Sequence, residues 1–198
     1  MRILTGHHLN SCLSFLADCM SATSPTARRD ALCLMLGLHG LRVGEVVGLK
    51  KNDLLGTGVW VRTLKGGPPR LVPLRDGMRQ AIERESKRWR GPYLFSSRTG
   101  RPLATSHLRR FATRVPVPFF HLHALRHTCG QRIYDETGDL QLVQTLLGHS
   151  SLQMAQVYAR CSGKKGLEVM PELPIRQEVV QLNLFSELLD GKHPTLAG

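Results

Sequence analysis

Three segments of this sequence concentrate side chains that bind phosphate or transfer protons. The first is Gly40-Leu-Arg-Val-Gly-Glu45, which places Arg42 and Glu45 three residues apart at the start of a predicted helix. Residues three apart lie on one helix face, so Glu45 can hold the Arg42 side chain in place. A planar guanidinium matches the non-bridging oxygens of a phosphate. Taken alone, the pair fits a surface ion pair better.

The second segment is a predicted hairpin with a lysine at its tip. Val59–Leu64 and Arg70–Leu74 suit strands, and Lys65-Gly-Gly-Pro-Pro69 between them is a turn sequence. Glycines allow the turn to approach a ligand closely, where Lys65 can contact a phosphate or protonate a leaving oxygen. A solvated turn lysine is the simpler interpretation of Lys65 by itself.

The third segment carries the strongest signal. It reads His123-Ala-Leu-Arg126-His127-Thr128, then Leu147-Gly-His149-Ser150, then Tyr158. We expect His123 and Arg126 on one helical face, His149 in a tight turn between helices and Tyr158 on the next short helix. Packing explains any one of these residues, but chance does not explain all of them together.

These motifs resemble the tyrosine recombinases of the phage integrase family. The family's second box is similar to His-x-x-Arg-His-Thr, followed by Leu-Gly-His and by a tyrosine nine residues after that histidine. Gly40-Leu-Arg-Val-Gly-Glu45, which leads into Leu49-Lys50, is similar to the family's first box. The family also has a lysine in the following hairpin, as here at Lys65. The resemblance covers Thr26 to Arg160, an extent that makes a false motif match improbable.

The resemblance implies a catalytic role for each motif residue. Tyr158 would be the nucleophile, forming a 3′-phosphotyrosyl link and leaving a 5′-hydroxyl. Arg42 and Arg126 would bind the non-bridging oxygens and stabilise the transition state, and His149 would donate a hydrogen bond to the same phosphate. Because a phenol with a pKa near 10 is a poor nucleophile at neutral pH, the surrounding cations would favour its ionised form.

The remaining motif residues would assist. By the same resemblance, Lys65 would be the general acid for the 5′-oxygen, His123 the acid or base serving the tyrosine, and Glu45 a supporting residue. The sequence has no Asp/Glu cluster typical of a two-metal site, so we expect positioning and fixed cations to do that work, with no metal and no cofactor.

Charge points to a polyanionic partner. The 198 residues contain 27 Lys and Arg against 15 Asp and Glu, a net charge of +12 and a pI near 10.2. A basic protein without such a partner is the alternative, but with the motifs we expect double-stranded DNA. A predicted helix bearing Arg109, Arg110 and Arg114 is a candidate for backbone contact, although a solvated face fits it nearly as well.

Other features favour a cytoplasmic protein that does not associate with membranes. We find no long apolar run, signal peptide or lipidation motif. The five cysteines are odd in number and never form Cys-x-x-Cys, so neither a disulfide framework nor a zinc site is indicated. They are predicted to be reduced and mostly buried.

The pattern of elements predicts an α+β fold that is mostly α, with helices around a small antiparallel sheet, as in the tyrosine recombinase catalytic domain. Besides the two strands, Tyr93–Phe95 suits a short strand, and Pro73 would confine its strand to an edge or an end. The predicted helices are Leu4–Met20 with Thr5 as N-cap, Thr26–His39, Val43–Gly48, Asp76–Arg90, Thr105–Arg114, His123–Thr137, Leu140–Leu147, Leu152–Arg160 and Arg176–Leu189.

We expect the catalytic domain to span 1–165 and a tail to span 166–198. The apolar stripe of the tail, from Val179 to Leu188, would pack on its own core or on a neighbouring protomer. Only about twenty-five residues precede the helix that begins at Thr26, too few for the separate core-binding domain that most family members carry. The length is similar to that of the fimbrial phase-variation invertases, and both a natural single-domain enzyme and a fragment fit it.

The sequence therefore predicts a site-specific DNA recombinase acting as a homotetramer, a dimer on each DNA site. One alternative is a type IB topoisomerase-like relaxing enzyme that uses the same chemistry. Another is a non-catalytic DNA-binding regulator of a mobile element. The target sequence, and the choice among integration, excision and inversion, stay open.

Overall fold

The computed structural model describes residues 3–62 and 67–149. Within them the chain forms seven α-helices and one antiparallel three-stranded sheet, so the mostly helical α+β prediction is confirmed. The helices are α1 Gly6–Ser21, α2 Pro25–Leu38, α3 Val43–Gly48, α4 Asp76–Ser86, α5 Thr105–Ala112, α6 Leu122–Thr137 and α7 Leu140–Leu147. The strands are β1 Leu54–Leu55, β2 Gly58–Val61 and β3 Arg70–Pro73, and a 3-10 turn, Lys51–Asp53, precedes β1.

Several predicted features lie outside the described residues. They are Lys65, Tyr158, Cys161, the helices expected at Leu152–Arg160 and Arg176–Leu189, and the tail 166–198.

Helix α2 forms the centre of the molecule. It begins at Pro25, whose fixed φ suits a first helical position, and the Ser24 side chain accepts a hydrogen bond from the Ala27 N–H (3.4 Å). Every residue from Arg29 to Leu38 is buried, because α1, α3, α4, α5 and α6 all pack around this helix. Because α2 is buried among these helices, it fixes their positions relative to one another.

Helix α6 approaches α2 closely at a glycine. A Cβ on Gly37 would lie 3.0 Å from Cδ1 of Leu125, so a larger residue at position 37 would push the two helices apart. Leu125 is 1 % exposed. This contact sets the depth of Arg126, the next residue of α6.

Helix α7 packs on α6 through a small cluster of its own, formed by Cys129, Ile133, Val143 and Leu147. The short connection between the two helices uses Gly138, at φ 65°, as the C-cap of α6. Asp139 then caps α7, since its carboxylate accepts from the N–H groups of Gln141 (2.7 Å) and Leu142 (3.0 Å).

The sheet has the strand order β1-β2-β3. Val59 faces Val72 and Trp60 faces Leu71 across the β2–β3 pair. Pro73 lies in β3, an edge strand, as predicted, since proline cannot donate to a second neighbour. Strand β1 was not anticipated, because two residues are too few to show alternation.

Two predictions are wrong: the strand at Tyr93–Phe95 and the end of the helix Asp76–Arg90. Tyr93–Phe95 is not a strand: Tyr93 forms only an isolated bridge to Lys50. Helix α4 ends at Ser86 instead of Arg90, because the N–H groups of Arg88 and Trp89 bond three residues back, to Glu85 and Ser86. Such tight bonds end an α-helix.

Cys12, Cys19, Cys33 and Cys129 are buried and not disulfide-bonded, as predicted. Burial raises the pKa of Cys12 and of Cys129 to about 12. None of the helices in the part of the chain that the structure describes has both the length and the apolar character needed to cross a membrane.

We predict that Asp139→Ala lowers the free energy of unfolding by about 1 kcal/mol, because two N–H groups at the start of α7 lose their acceptor. Urea denaturation measures the change. Asp139→Asn keeps a capping oxygen and is the matched control. Equal losses in the two variants would contradict the capping role.

Candidate active site

The carboxylate of Glu45 lies at the centre of the candidate site. It is 3 % exposed, and Oε2 accepts from the Arg42 N–H at 2.7 Å while Oε1 accepts from Arg42 Nη1 at 3.0 Å. Glu45 therefore caps the first turn of α3 and holds the Arg42 side chain, as the spacing predicts. The Arg42 side chain is 27 % exposed, so part of its guanidinium faces solvent.

Arg70, which the sequence analysis missed, also binds Glu45. Its Nη1 donates to Oε1 at 3.2 Å and its Nη2 to Oε2 at 3.0 Å, and its side chain is 5 % exposed. Its Nε donates to the Leu146 carbonyl of α7 at 2.9 Å. The only sequence signal was an arginine at the start of a strand, and a strand-end arginine is ordinarily solvated.

Arg126 joins the same cluster from α6. The residue is 4 % exposed; Nη1 donates to the Gly40 carbonyl, and Nη2 donates to the Leu147 carbonyl at 2.7 Å. The last carbonyls of a helix lack partners within it and carry partial negative charge, so they attract cations. Arg70 and Arg126 together hold the end of α7 against the Gly40–Glu45 segment.

Two glycines permit this close packing. Gly40 has φ 88°, and a Cβ there would lie 2.5 Å from Cδ2 of Leu147. Gly148 has φ 63°, and a Cβ there would lie 2.7 Å from Nη1 of Arg70. Both positions exclude a side chain by space and by backbone conformation. The glycines of the two motifs are therefore structural requirements of the cluster.

His149 follows Gly148 and is buried, at 6 % exposure. Its N–H donates to the Gln144 carbonyl at 3.0 Å. Burial, followed by the charges of Arg126, Arg42 and Arg70, lowers the pKa of His149 from 6.5 to about 4. The imidazole is thus neutral at pH 7 and has one ring N–H donor.

For Glu45, in contrast to His149, the neighbouring groups outweigh the effect of burial on the pKa. Burial alone would raise the pKa of Glu45, but the hydrogen bonds from Arg70 and from the Arg42 N–H, with the charges of Arg70 and Arg126, outweigh it and lower this pKa. The carboxylate is ionised at neutral pH. It offsets part of the positive charge that the three arginines bring together.

His123 lies at the start of α6, on the exposed side of the cluster. Burial, then the charges of Arg126, His121, Arg42 and Arg109, lower the pKa of His123. It lines a cavity of about 230 Å³ together with Val43, Arg109, Ala112, Phe120, His121 and Leu122. The cavity thus adjoins both Arg42, through its neighbour Val43, and the start of α6.

The structure does not bring every predicted residue into the cluster. Arg110 is exposed on α5. Arg114 lies just past α5, with its guanidinium 5.4 Å from the centre of the Phe111 ring, and its charge acts on Cys19 of α1. Lys65 and Tyr158 lie outside the described residues. The geometry therefore joins Arg42, Glu45, Arg126, His149 and His123.

This arrangement suits a bound tetrahedral anion. Guanidinium groups, a neutral imidazole donor and the start of a long helix contribute positive potential to one surface. Burial first, and then the charges of the neighbouring arginines, lower the pKa values of His123 and His149, and a phosphate placed beside these imidazoles would favour their charged form.

Comparison with known proteins gives the family. The model of the phage integrase family matches residues 2–164. The type 1 fimbriae regulatory protein FimE of Escherichia coli (strain K12) is 33 % identical over 166 residues, covering 77 % of this chain and 82 % of FimE. Tyrosine recombinase XerC of Corynebacterium glutamicum is 32 % identical over 165 residues, covering 78 % of this chain and 54 % of XerC. This chain belongs to the phage integrase family.

The fold agrees with that assignment. A crystal structure of the XerH site-specific recombinase, bound to a palindromic difH substrate in a post-cleavage complex, superimposes with a TM-score of 0.70 at 23 % identity. The match covers 82 % of this chain and 50 % of XerH. The described residues therefore have the tyrosine recombinase fold, and the chain is similar to about half the length of XerC and XerH.

We predict that Arg70→Met lowers the free energy of unfolding by about 3 kcal/mol, because it leaves the buried Glu45 carboxylate with Arg42 as its remaining partner and removes the donor to the Leu146 carbonyl. Chemical denaturation measures the loss. Lys87→Met is the control: Lys87 pairs with Glu83 at 2.9 Å, and both side chains are exposed, at 72 % and 44 %, so its removal leaves the free energy of unfolding nearly unchanged.

A double variant tests the coupling. Removing the charge at both positions, with Arg70→Met and Glu45→Gln, costs less than the sum of the single losses by about 1 kcal/mol or more. Additive losses would show that Arg70 acts independently of Glu45.

His39, the residue before Gly40, makes the stability of the fold depend on pH. It is 8 % exposed, donates from Nδ1 to the Met35 carbonyl at 2.9 Å, and has a pKa lowered by burial from 6.5 to about 4. Between these values the unfolded chain binds a proton that the folded chain does not, so the free energy of unfolding falls as the pH decreases.

We therefore predict that His39→Gln flattens the pH dependence of stability. Its removal reduces the loss between about pH 6.5 and 4.5 by about 2 kcal/mol, while His127 and His149, whose pKa values are also lowered to about 4, retain their share. Denaturation at a series of pH values measures the slopes. Parallel curves for the wild type and the variant would refute the assignment.

Proposed function

We propose that this tyrosine recombinase cleaves and rejoins double-stranded DNA at specific sites through Tyr158. The observation that carries the proposal is that Arg126 binds the carbonyls of Gly40 and Leu147, close in sequence to His149. Arg42 is held by Glu45, which Arg70 connects to the end of α7. Arg42, Arg126 and His149 come from three separate motifs, and each contributes charge or a hydrogen-bond donor to one surface. A phosphodiester is the anion that the family and the net charge of +12 both favour.

Arg42 would bind a non-bridging oxygen of the phosphate, since its guanidinium is partly exposed while Glu45 fixes its position. Arg126 would add positive charge close to the same group, and that charge already acts on both His149 and His123. Preorganised cations lower the barrier because they need not reorganise as charge develops.

His149 would donate a hydrogen bond to the phosphate as a neutral imidazole. A bound phosphodiester brings negative charge, so the pKa of His149 would rise from about 4 on DNA binding. His123, at the exposed rim, would accept or return the proton of the tyrosine.

The transfer would begin with attack of the Tyr158 oxygen on phosphorus. A bond forms between them, and the bond from phosphorus to the 5′-oxygen breaks. Lys65 would give a proton to that departing oxygen. Rejoining is the reverse, in which a 5′-hydroxyl attacks and the tyrosine leaves, so the phosphodiester energy is conserved. The motif spacing supports the roles of Lys65 and Tyr158.

Recombination would take place in the cytoplasm on a homotetramer, with a dimer on each DNA site. XerH was crystallised on a difH substrate, and a λ integrase dimer on a COC′ core site. In this proposal, residues 1–165 form the catalytic unit and the tail 166–198 contacts a neighbouring protomer through its apolar stripe.

A covalent trap tests the nucleophile. The full chain is incubated with a library of nicked duplexes of randomised sequence. In these duplexes the short fragment that carries the new 5′-hydroxyl diffuses away after cleavage. Adducts resistant to denaturant are separated and their DNA is sequenced. We expect the wild type to form an adduct and Tyr158→Phe to form none.

Tyr93→Phe and Tyr134→Phe are matched controls that retain the adduct. An adduct that persists in Tyr158→Phe would sink the assignment of the nucleophile. Absence of any wild-type adduct, with DNA binding intact, would instead favour the non-catalytic regulator. Relaxation of supercoiled plasmid without recombinants would favour the topoisomerase-like alternative.

A further inference from the structure

Phe119 is the most exposed large apolar residue in the part of the chain that the structure describes. Its relative exposure is 81 %, while the next values are 43 % for Leu55, 39 % for Leu71 and 37 % for Trp60. An aromatic ring left almost wholly in water contributes little to the core. Burial in the core therefore does not account for the position of this ring.

The backbone at Phe119 is strained as well. Its φ is 54°, and among the described residues no other non-glycine has a positive φ. The turn is closed by the Phe120 N–H, which donates to the Val117 carbonyl at 3.2 Å. Pro118 occupies the second position of this turn and Phe119 the third, where a positive φ normally selects glycine. A phenylalanine thus stands where glycine would fold more easily.

The surroundings of this turn are basic and adjoin the candidate active site. The adjacent Phe120, with His121, His123 and Arg109, lines the 230 Å³ cavity beside the start of α6. All three of these polar residues are exposed. The exposed ring, the Arg109 guanidinium and the two imidazoles are therefore presented by the same loop and by the two helices that flank it.

DNA presents both matching chemistries: phosphates for Arg109 and the imidazole N–H donors, and base faces for the ring. Apolar side chains that insert at a base step, and aromatic rings that stack on unpaired bases, are common ways to recognise distorted DNA. Residues held in a rarely populated conformation also cluster at functional sites. The combination of strain, exposure and basic surroundings favours DNA over an apolar protein surface.

We propose that Phe119 is a base-stacking contact, which packs on an unstacked base near the bound phosphate and favours duplexes that open there. The inference rests on the proposed function only in taking DNA as the partner. It does not require Tyr158 to react. It assigns Phe119 to DNA distortion, apart from the residues that bind the cleaved phosphate.

The test uses Tyr158→Phe as the background, so that no cleavage intervenes. Affinity is measured for short random-sequence duplexes with and without a central mismatch that carries 2-aminopurine. We expect tighter binding to the mismatched duplex, by about fivefold or more, with quenching of the probe as the ring stacks on it. Phe119→Ala removes both the preference and the quenching, whereas Phe119→Tyr and Phe119→Trp retain them.

Two controls separate stacking from general binding. Trp60→Ala, which removes another exposed aromatic ring, leaves the preference unchanged. Arg109→Ala weakens binding to both duplexes alike and reduces its salt dependence. If Phe119→Ala keeps the preference and the quenching, the proposal is overturned, and a change in sedimentation in that variant would assign the ring to a protein contact instead.

Phe119→Gly gives an independent readout. Glycine relieves the positive φ, so the melting temperature rises by about 2 °C or more while the mismatch preference is lost. A ring that served the fold would show the opposite result, a lower melting temperature. If the covalent trap yields no adduct but the mismatch preference persists and depends on Phe119, the catalytic proposal is rejected. The base-stacking proposal is then still supported.

Discussion

The structure around the site depends on one buried carboxylate. Glu45 is ionised in the interior, and a lone buried negative charge would be strongly unfavourable. Arg42 and Arg70 satisfy it from two elements, α3 and β3. Because Arg70 also donates to the end of α7, the ion pair joins the first motif to the third. Loss of Arg70 would leave the buried carboxylate with Arg42 alone and would remove the connection to α7.

Hydrogen bonds to backbone carbonyls add to these ion pairs. Arg126 donates to the carbonyls of Gly40 and Leu147, so a cation holds the last turn of α7 in place. Glycine at positions 40 and 148 allows the segments to come within contact distance. Rigid placement of this kind benefits a phosphate site, since small displacements weaken charge stabilisation.

Electrostatic crowding and backbone strain mark the same surface. Burial, followed by the charges of the nearby arginines, lowers the pKa values of His123 and His149, and the turn before α6 holds an exposed phenylalanine at a positive φ. Each feature destabilises the protein by itself. Proteins depart from local folding preferences most often where a ligand binds, and here the departures lie beside the predicted phosphate site.

Sequence alone determined the helices with clear caps or apolar periodicity, the edge position of Pro73, the Arg42–Glu45 pair and the family. These are local patterns, because they depend on residues a few positions apart. Only the tertiary structure decided the role of Arg70, which meets a carbonyl 76 residues away, the burial of Arg126 between two backbone segments, and the bridge at Tyr93. Such contacts follow from how distant elements pack, and neither the residue type nor its neighbours in the chain specify them.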